Sequence, residues 1–467
     1  MARMEALFFW AWTLLLIWAP VPLGSNRTWA WALLEVGVFV LGALWLAAFI
    51  WGRLAMPVTM QRAKWFLLLL VAWLLYQAIY IVPLPEAWIA LISPEAAAMH
   101  ALTNALSVDS AHRWQTLSVD PYAAKVSWLK SLCYTLGFVM TLAVVTTRQR
   151  AQQLAYALVL SAVAIAVFGI LMHLANINIE WFRTPIAHGG EASATFANRN
   201  HFAGYLEMIL AIGIGLLIAG LRDHRTQTWK QFFRHFIEWI LSAKMRLRLM
   251  LCIMVIALVA THSRMGNAGF FSSLLIAGVI GIALARHATR GTVILLVSLI
   301  VIDVFIVGSW FGVEKLAQRI EQTTMKDVEE RQDPSAYALQ IIKDYPAMGS
   351  GPGSFYTAFP RYRGPDVVNL YEYAHNDYIQ FATESGVAGL GLLGLIVAWS
   401  LAVALRAQYM RRDPLMRGLS FASVMGIVAI LIHSSVDFNL QIPSNAMLFM
   451  VLMAFAWISL HLDRRSP

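Results

Sequence analysis

The stretch His201-Phe-Ala-Gly-Tyr-Leu-Glu-Met-Ile-Leu-Ala-Ile-Gly-Ile-Gly-Leu-Leu-Ile-Ala-Gly-Leu221 decides the fold. Glu207 is the one acidic or basic residue in it besides the leading histidine, and an apolar run of this length spans a bilayer core as a helix. Immediately before it stands the polar cluster Phe196-Ala-Asn198-Arg199-Asn200, and immediately after it Arg222 opens a basic stretch. The same pattern recurs along the chain. Spans are predicted near 7–24, 29–50, 65–83, 126–147, 151–175, 201–221, 248–263, 267–285, 291–312, 377–405, 418–436 and 445–462. A chain that is 59% hydrophobic and 13% charged is far from a soluble domain, which is about 45–50% apolar and about 25% charged. No segment alternates in polarity as a barrel strand does. The predicted class is all-α, a polytopic membrane helical bundle of about 12 transmembrane helices.

Charge sets the expected orientation. If the N-terminus is cytoplasmic, the inside loops and termini collect 21 of the 35 Lys and Arg residues, among them Arg53, Arg62, Lys64, Arg148, Arg150, Arg222, Arg406, Arg411, Arg412 and Arg417. That is the positive-inside pattern, and both termini are expected in the cytoplasm of a multi-pass inner-membrane protein. The formal charge of +9 is explained by these loops, with no nucleic-acid partner required. The first apolar run follows Arg3 as a signal peptide would, and is read as an uncleaved helix because retaining it keeps the charge pattern consistent. Cys133 and Cys252 both lie in apolar runs, with no disulfide, zinc or nucleophile pattern. Residues 1–467 read as one integral membrane domain. Three segments stand apart within it: an interfacial outside loop at 84–125, a basic aromatic cytoplasmic loop at 222–247 suited to anionic lipid, and a large outside loop at 313–376 carrying short helices.

The dense polar motifs all fall on the outside by an assignment that used charge alone. Tyr373-Ala-His375-Asn376-Asp377-Tyr378 opens the tenth span. Asn376 or Asp377 accounts for the helix N-cap, whereas His375 is not needed for capping and is suited to accept a proton at a hydrated boundary. Thr261-His262-Ser263-Arg264-Met265-Gly266 joins two spans by a tight turn. The bland reading of Arg264 is a side chain snorkelling to lipid phosphate; turned inward, it is a cation at any working pH. Asn198, Arg199, Asn200 and His201 pack two amides, a guanidinium and an imidazole into one helix start, suited to phosphate or sugar hydroxyls. His433-Ser-Ser-Val-Asp437-Phe-Asn439 closes the eleventh span. Glu35, Glu207, Asp303 and Glu384 lie within spans and are read first as interior polar contacts, since an unpaired charge there is costly.

The motifs Phe196-x-Asn198-x-Asn200-His201-x-Ala203, Ser263-Arg264, Gly351-x-Gly353-x-Phe355 and His375-Asn376-x-Tyr378, in this order and membrane setting, resemble the O-antigen ligase and polymerase superfamily. The likeness is strongest over about 190–400. It implies a GT-C-like helical fold and a metal-independent glycosyltransferase without cofactor, which moves a glycan from undecaprenyl diphosphate to an acceptor hydroxyl at the periplasmic face. By resemblance His375 is the catalytic base and Arg264 a diphosphate-binding arginine. Arg199, Asn198, Asn200, His201, Asn376, Asp377 and Tyr378 are the expected substrate-binding residues. A second arginine often precedes the first asparagine motif in this superfamily. Glu191 stands near that place here, leaving Arg199 or Arg183 as substitutes.

Within this class the expected acceptor is lipid A core, a growing polysaccharide or a protein, giving a ligase, a polymerase or a protein O-oligosaccharyltransferase. A reading from another class is a lipid-linked oligosaccharide flippase or transporter. Such a protein places its ionisable groups near mid-membrane beside broken helices, not gathered at one boundary.

Overall fold

The structure is a computed structural model that describes residues 2–106, 114–177, 180–181, 184–185, 191–220, 243–284, 297–298, 301, 325–365, 367 and 370–462. Most of the basic 222–247 segment, nearly all of the expected 291–312 span, the start of the 313–376 loop, Arg183 and Asp303 lie outside the described residues.

In chain order the helices are α1 (Ala2–Trp18), α2 (Thr28–Ile50), α3 (Val58–Arg62), α4 (Lys64–Ala78), α5 (Glu86–Ile92), α6 (Pro94–Leu106), α7 (Pro121–Val144), α8 (Arg148–Ala175), α9 (Arg199–Ala219), α10 (Ala243–Ala260), α11 (Arg264–Leu284), α12 (Met325–Asp344), α13 (Phe355–Ala358), α14 (Asp377–Met410), α15 (Pro414–His433) and α16 (Pro443–His461). Eight of them, α2, α7, α8, α9, α11, α14, α15 and α16, are long and apolar enough to cross a membrane. The protein is an all-α polytopic membrane bundle. Among the described residues, strand is confined to two minimal antiparallel pairs, β1 (Leu84–Pro85) with β2 (Trp114–Gln115) and β3 (Glu180–Trp181) with β4 (Thr184–Pro185).

Local chemistry starts these helices where they start. Asp120, Thr147, Asn198, Asn376 and Asp413 each accept a backbone N–H of the first turn through a side-chain oxygen. Pro121 and Pro414 follow two of these caps, where a missing N–H is harmless. α9, α15 and α16 are almost wholly buried and form the centre. α9 and α15 touch through backbone: a Cβ on Gly215 would collide with the Gly418 carbonyl, and one on Gly418 with that of Gly215. Small residues permit such approach where no hydrophobic drive separates helix from lipid.

The bundle has two chemically different ends. At one, Arg148 pairs with Asp413 at 3.4 Å, Arg150 with Glu5 at 3.2 Å, and Arg411 donates to the Leu462 carbonyl. At the other, α7, α9, α11, α14 and α16 all begin, and a second small core sits over them. Tyr80, just after α4, joins Ile89 and Leu117 of the 84–125 segment and Ile341, Tyr345, Phe355 and Phe359 of the 325–376 segment to build that core. It is tied down by Thr357, whose hydroxyl donates to Asp120 at 2.7 Å, and by Val119, whose amide donates to the Ser350 carbonyl at 3.0 Å.

α14 is broken. Gly386 has φ +62° and ψ −176°, so the helix stops and restarts there. The freed backbone groups pair with residues 346–351. Ser350 N donates to Thr383 O and Gly351 N to Glu384 O, both at 2.9 Å, while Val387 N donates to Pro346 O at 3.0 Å and Ala388 N to Ala347 O at 3.3 Å. Glu384 adds its carboxylate, accepting from Gln380 at 2.6 Å and from Phe355 N at 3.4 Å. The glycine-rich loop is thereby stitched into the break.

Candidate active site

His375 precedes the Asn376 cap of α14 and has φ +52°, an uncommon conformation for a residue with a Cβ. Its half-buried ring stands edge-on to Phe438, centroids 4.8 Å apart, with Tyr371 at 5.8 Å on another side. Phe438 is the shared floor. Tyr373 stacks on it at 4.6 Å and His201 meets it edge-on at 4.7 Å. Thus the first turn of α9, the approach to α14 and the 434–442 turn between α15 and α16 converge on one ring, although the three segments are far apart in sequence.

Behind Phe438 lies a buried polar chain. His201 Nε2 stands 3.6 Å from Asp437 Oδ1, His433 Nε2 stands 3.7 Å from Asp437 Oδ2, and His433 Nδ1 is hydrogen-bonded to Glu207 Oε1 at 2.8 Å. The two Asp437 distances are ion-pair contacts rather than good hydrogen bonds. Burial alone would raise the Asp437 carboxyl; the contact and charge of His201, the charge of His433 and the Phe438 amide hold it well below the usual carboxylate range. Tyr373 moves the other way. Burial, followed by the Glu372, Glu384 and Asp377 carboxylates, pushes its phenol up, so the hydroxyl keeps its proton at neutral pH.

The residues following His375 hold it in place. Asn376 caps α14 by accepting from Ile379 N at 3.1 Å, and its Nδ2 donates to the Ser435 carbonyl at 2.7 Å. The Asp377 amide donates to the carbonyls of Ser434 and Asp437 at 2.9 and 3.1 Å. The Asp377 carboxylate, almost fully buried, accepts from Ser434 Oγ at 2.8 Å, Leu440 N at 3.1 Å and Gln441 at 3.4 Å. Tyr378 donates to the Leu431 carbonyl at 2.7 Å. Asn376 and Asp377 fasten α14 to the 434–441 turn, and Tyr378 fastens it to the last turn of α15.

On α9, Asn198 accepts from Asn200 N at 2.8 Å as the cap, and Arg199 is salt-bridged to Glu191. Arg264 is the exposed first residue of α11. The Ser263 hydroxyl before it accepts Gly266 N at 3.2 Å, and the same turn accepts the Ala192 amide on the Ala260 carbonyl at 3.0 Å. Gly266 abuts Ala203 of α9, so Arg264 opens its helix against α9 on the face other than the one His201 turns to Asp437.

Every sequence-predicted site residue lies at this end of the bundle. His375 and His201 share Phe438; Arg199 and Arg264 stand on the adjoining α9–α11 side; Asn198, Asn376, Asp377 and Tyr378 hold backbone in the structure. The hub residue Phe438 escapes a reading that looks for polar groups. Its neighbours Asp437 and His433 were visible as a polar motif, and Glu207 as a charge inside a span, but their pairing was not. A family model described as O-antigen ligase matches residues 249–394, which include Arg264, the glycine-rich loop and His375. A search among curated proteins found no match.

Proposed function

From a chain that belongs, through residues 249–394, to the O-antigen ligase superfamily of polysaccharide-building membrane enzymes, we propose a transfer of glycan from a polyprenyl diphosphate to an acceptor hydroxyl, at the end of the bundle that carries His375. The observation that carries this reading is the convergence of His375, His201, Arg199 and Arg264 on helix N-termini at one end. Helix starts bring unpaired N–H groups and partial positive charge, which favour an anion. The diphosphate is held by the guanidinium of Arg264, with Arg199 joining once it leaves Glu191. The acceptor hydroxyl loses its proton to the His375 imidazole as its oxygen bonds to the anomeric carbon. The bond from that carbon to the diphosphate oxygen breaks, and the charge left on the diphosphate is met by the arginines. Diphosphate is a good leaving group, so no strong acid is needed opposite His375. Tyr371 and Tyr373 offer ring faces to the sugar.

The other end of the bundle carries Arg148, Arg150, Arg406, Arg411, Arg412 and Arg417. The positive-inside rule makes that end cytoplasmic and the His375 end periplasmic in an inner membrane. Transport is the competing class, and a broken helix such as α14 is what it would use. Here, however, the loop 346–351 engages the backbone freed at Gly386, which supports a braced scaffold over an ion or substrate gate.

The test is transfer by purified protein in proteoliposomes loaded with undecaprenyl diphosphate-linked glycan. His375→Ala is expected to lose about 10²–10⁴ in rate, and Arg264→Lys most of its activity, because an ammonium does not reproduce the guanidinium fork. Full transfer by both variants would refute the reading. Donor trapped on the arginine-rich side would indicate transport instead.

A further inference from the structure

A cavity of about 360 Å³ lies beneath the 434–441 turn, walled by α4, α7, α14 and α16. That volume is in the range of about 300–1,000 Å³ that holds a drug-sized ligand. Asp377, Ser434 and Gln441 stand at its top, and Leu393, Val397 and Met453 line its depth. It extends about 10 Å along α4 from Gln77 to Leu70, and as far along α16 from Ala446 to Met453. Its α14 wall is open: Gly394 and Ala398 are both exposed and both line it, and a Cβ on Gly394 would meet nothing within 4 Å.

Two observations say what belongs there. The first is position. α15 stands between this cavity and the arginine-bearing helices, packing on α9 and α11 on one side and on α14 and α16 on the other. Leu431 and Ser434 turn toward the cavity, whereas His433 turns to Glu207 of α9. The top of the cavity therefore reaches Asp377 and Tyr378 at the start of α14, just past His375, and α15 packs between it and the helices that carry Arg199 and Arg264. The second is charge. The acidic and basic groups lining it are Lys130, Asp377 and Glu384, two carboxyls to one ammonium, beside the phenols of Tyr134 and Tyr378. Lys130 is already engaged, its Nζ 3.9 Å from the Trp31 ring centroid, with the Glu35 and Glu384 carboxylates near it. Such a lining offers phosphate no cation that is not already engaged, and its apolar depth accepts hydrocarbon.

We infer that this cavity seats a fatty-acyl chain of the acceptor, which makes the acceptor a membrane lipid uncharged at this depth and puts donor and acceptor on opposite sides of α15. The inference rests on the function proposed above. The donor's tail begins at the diphosphate itself, on the α9–α11 side, and α15 packs between that side and the cavity. An acyl chain held here brings its headgroup hydroxyl up to His375 directly.

The test uses the full chain in nanodiscs with two photoreactive probes, a glucosyl diacylglycerol with a diazirine in one acyl chain and an undecaprenyl phosphate with a diazirine in its tail. The acyl probe is expected to label α4, α14 and α16. Gly394→Phe, which fills the open wall, should cut that labelling about ten-fold, and leave undecaprenyl labelling elsewhere unchanged. In transfer assays the same variant should raise the KM for lipid acceptor about ten-fold with the donor KM unchanged. Undecaprenyl labelling of the cavity, labelling by neither probe, or equal use of an acceptor stripped of its chains would overturn the inference. If Gly394→Phe does not fold, Ala398→Phe reads the same wall. Labelling needs no turnover, so wild-type protein that labels as expected but transfers nothing would refute the proposed reaction and leave the lipid site standing.

Discussion

At the scale of single residues, the side chains that hold the surroundings of His375 are distinct from those proposed to meet a substrate. Asp437 belongs to the first set. Removing its charge strands His433 and His201 together, and breaking a buried charge set costs about 3–5 kcal/mol. Asp437→Asn is expected to lower the thermal midpoint of the purified protein and to reduce kcat with the donor KM unchanged, because the Phe438 floor shifts while the arginines do not. The sign of the pH effect follows from its depressed carboxyl. Its contribution to stability is complete above about pH 4, the unfolded value, and is lost as pH falls toward the lower folded value. The Asn variant should therefore show a flatter acid limb in thermal melts. Glu191 belongs to a third kind, a competitor. It is salt-bridged to the cation proposed for the diphosphate, so Glu191→Gln should lower the donor KM about two- to five-fold, the scale of a partly exposed ion pair. An unchanged KM would remove Arg199 from donor binding.

Elements were legible in the sequence to the extent that hydropathy governs them. The predicted spans at 29–50 and 201–221 correspond closely to α2 and α9. The eleventh, expected at 418–436, is α15 at Pro414–His433; Asp413 and Pro414 were the start signal, and they outrank mean hydropathy at a helix boundary. The third, expected to 83, stops at Ala78 because Tyr80 is taken into the second core, donating to the Met348 carbonyl. The break in α14 was not legible. Gly386, Gly389, Gly391 and Gly394 look alike along the chain, and only the pairing with 346–351 selects the first. Of the site, the motif positions were readable and their partners were not: Asn198 and Asn376 announce themselves as polar, yet whether each caps a helix or meets a ligand depends on fold. At Gly386 an alanine is strained by its φ and collides with the Ala347 carbonyl. Gly386→Ala is expected to destabilise by about 1–3 kcal/mol or more, read as a lower melting temperature in detergent. The same change at Gly391, where a Cβ meets nothing within 4 Å, should leave melting unaltered.

For the whole molecule, the separation of its two ends is the feature on which the proposed function rests. Arginine-rich turns gather at one, and the starts of α7, α9, α11, α14 and α16 gather with the His375 cluster at the other. Reporter fusions placed after Lys64, Arg150 and Arg412 should read cytoplasmic, and one after Tyr122 should read periplasmic. A cysteine introduced at Tyr371 should be reached by an impermeant maleimide from outside intact spheroplasts. Labelling only after permeabilisation would reverse the orientation and move the proposed chemistry to the wrong leaflet. The assembly of the site has a consequence in time. Glu207 is hydrogen-bonded to an imidazole 226 residues further on, and the floor beneath His375 arrives later still. During synthesis α9 must enter the bilayer with a carboxyl group whose mate has yet to be translated. The buried carboxyl gains its imidazole, and His375 its floor, only when the hairpin of α15 and α16 inserts.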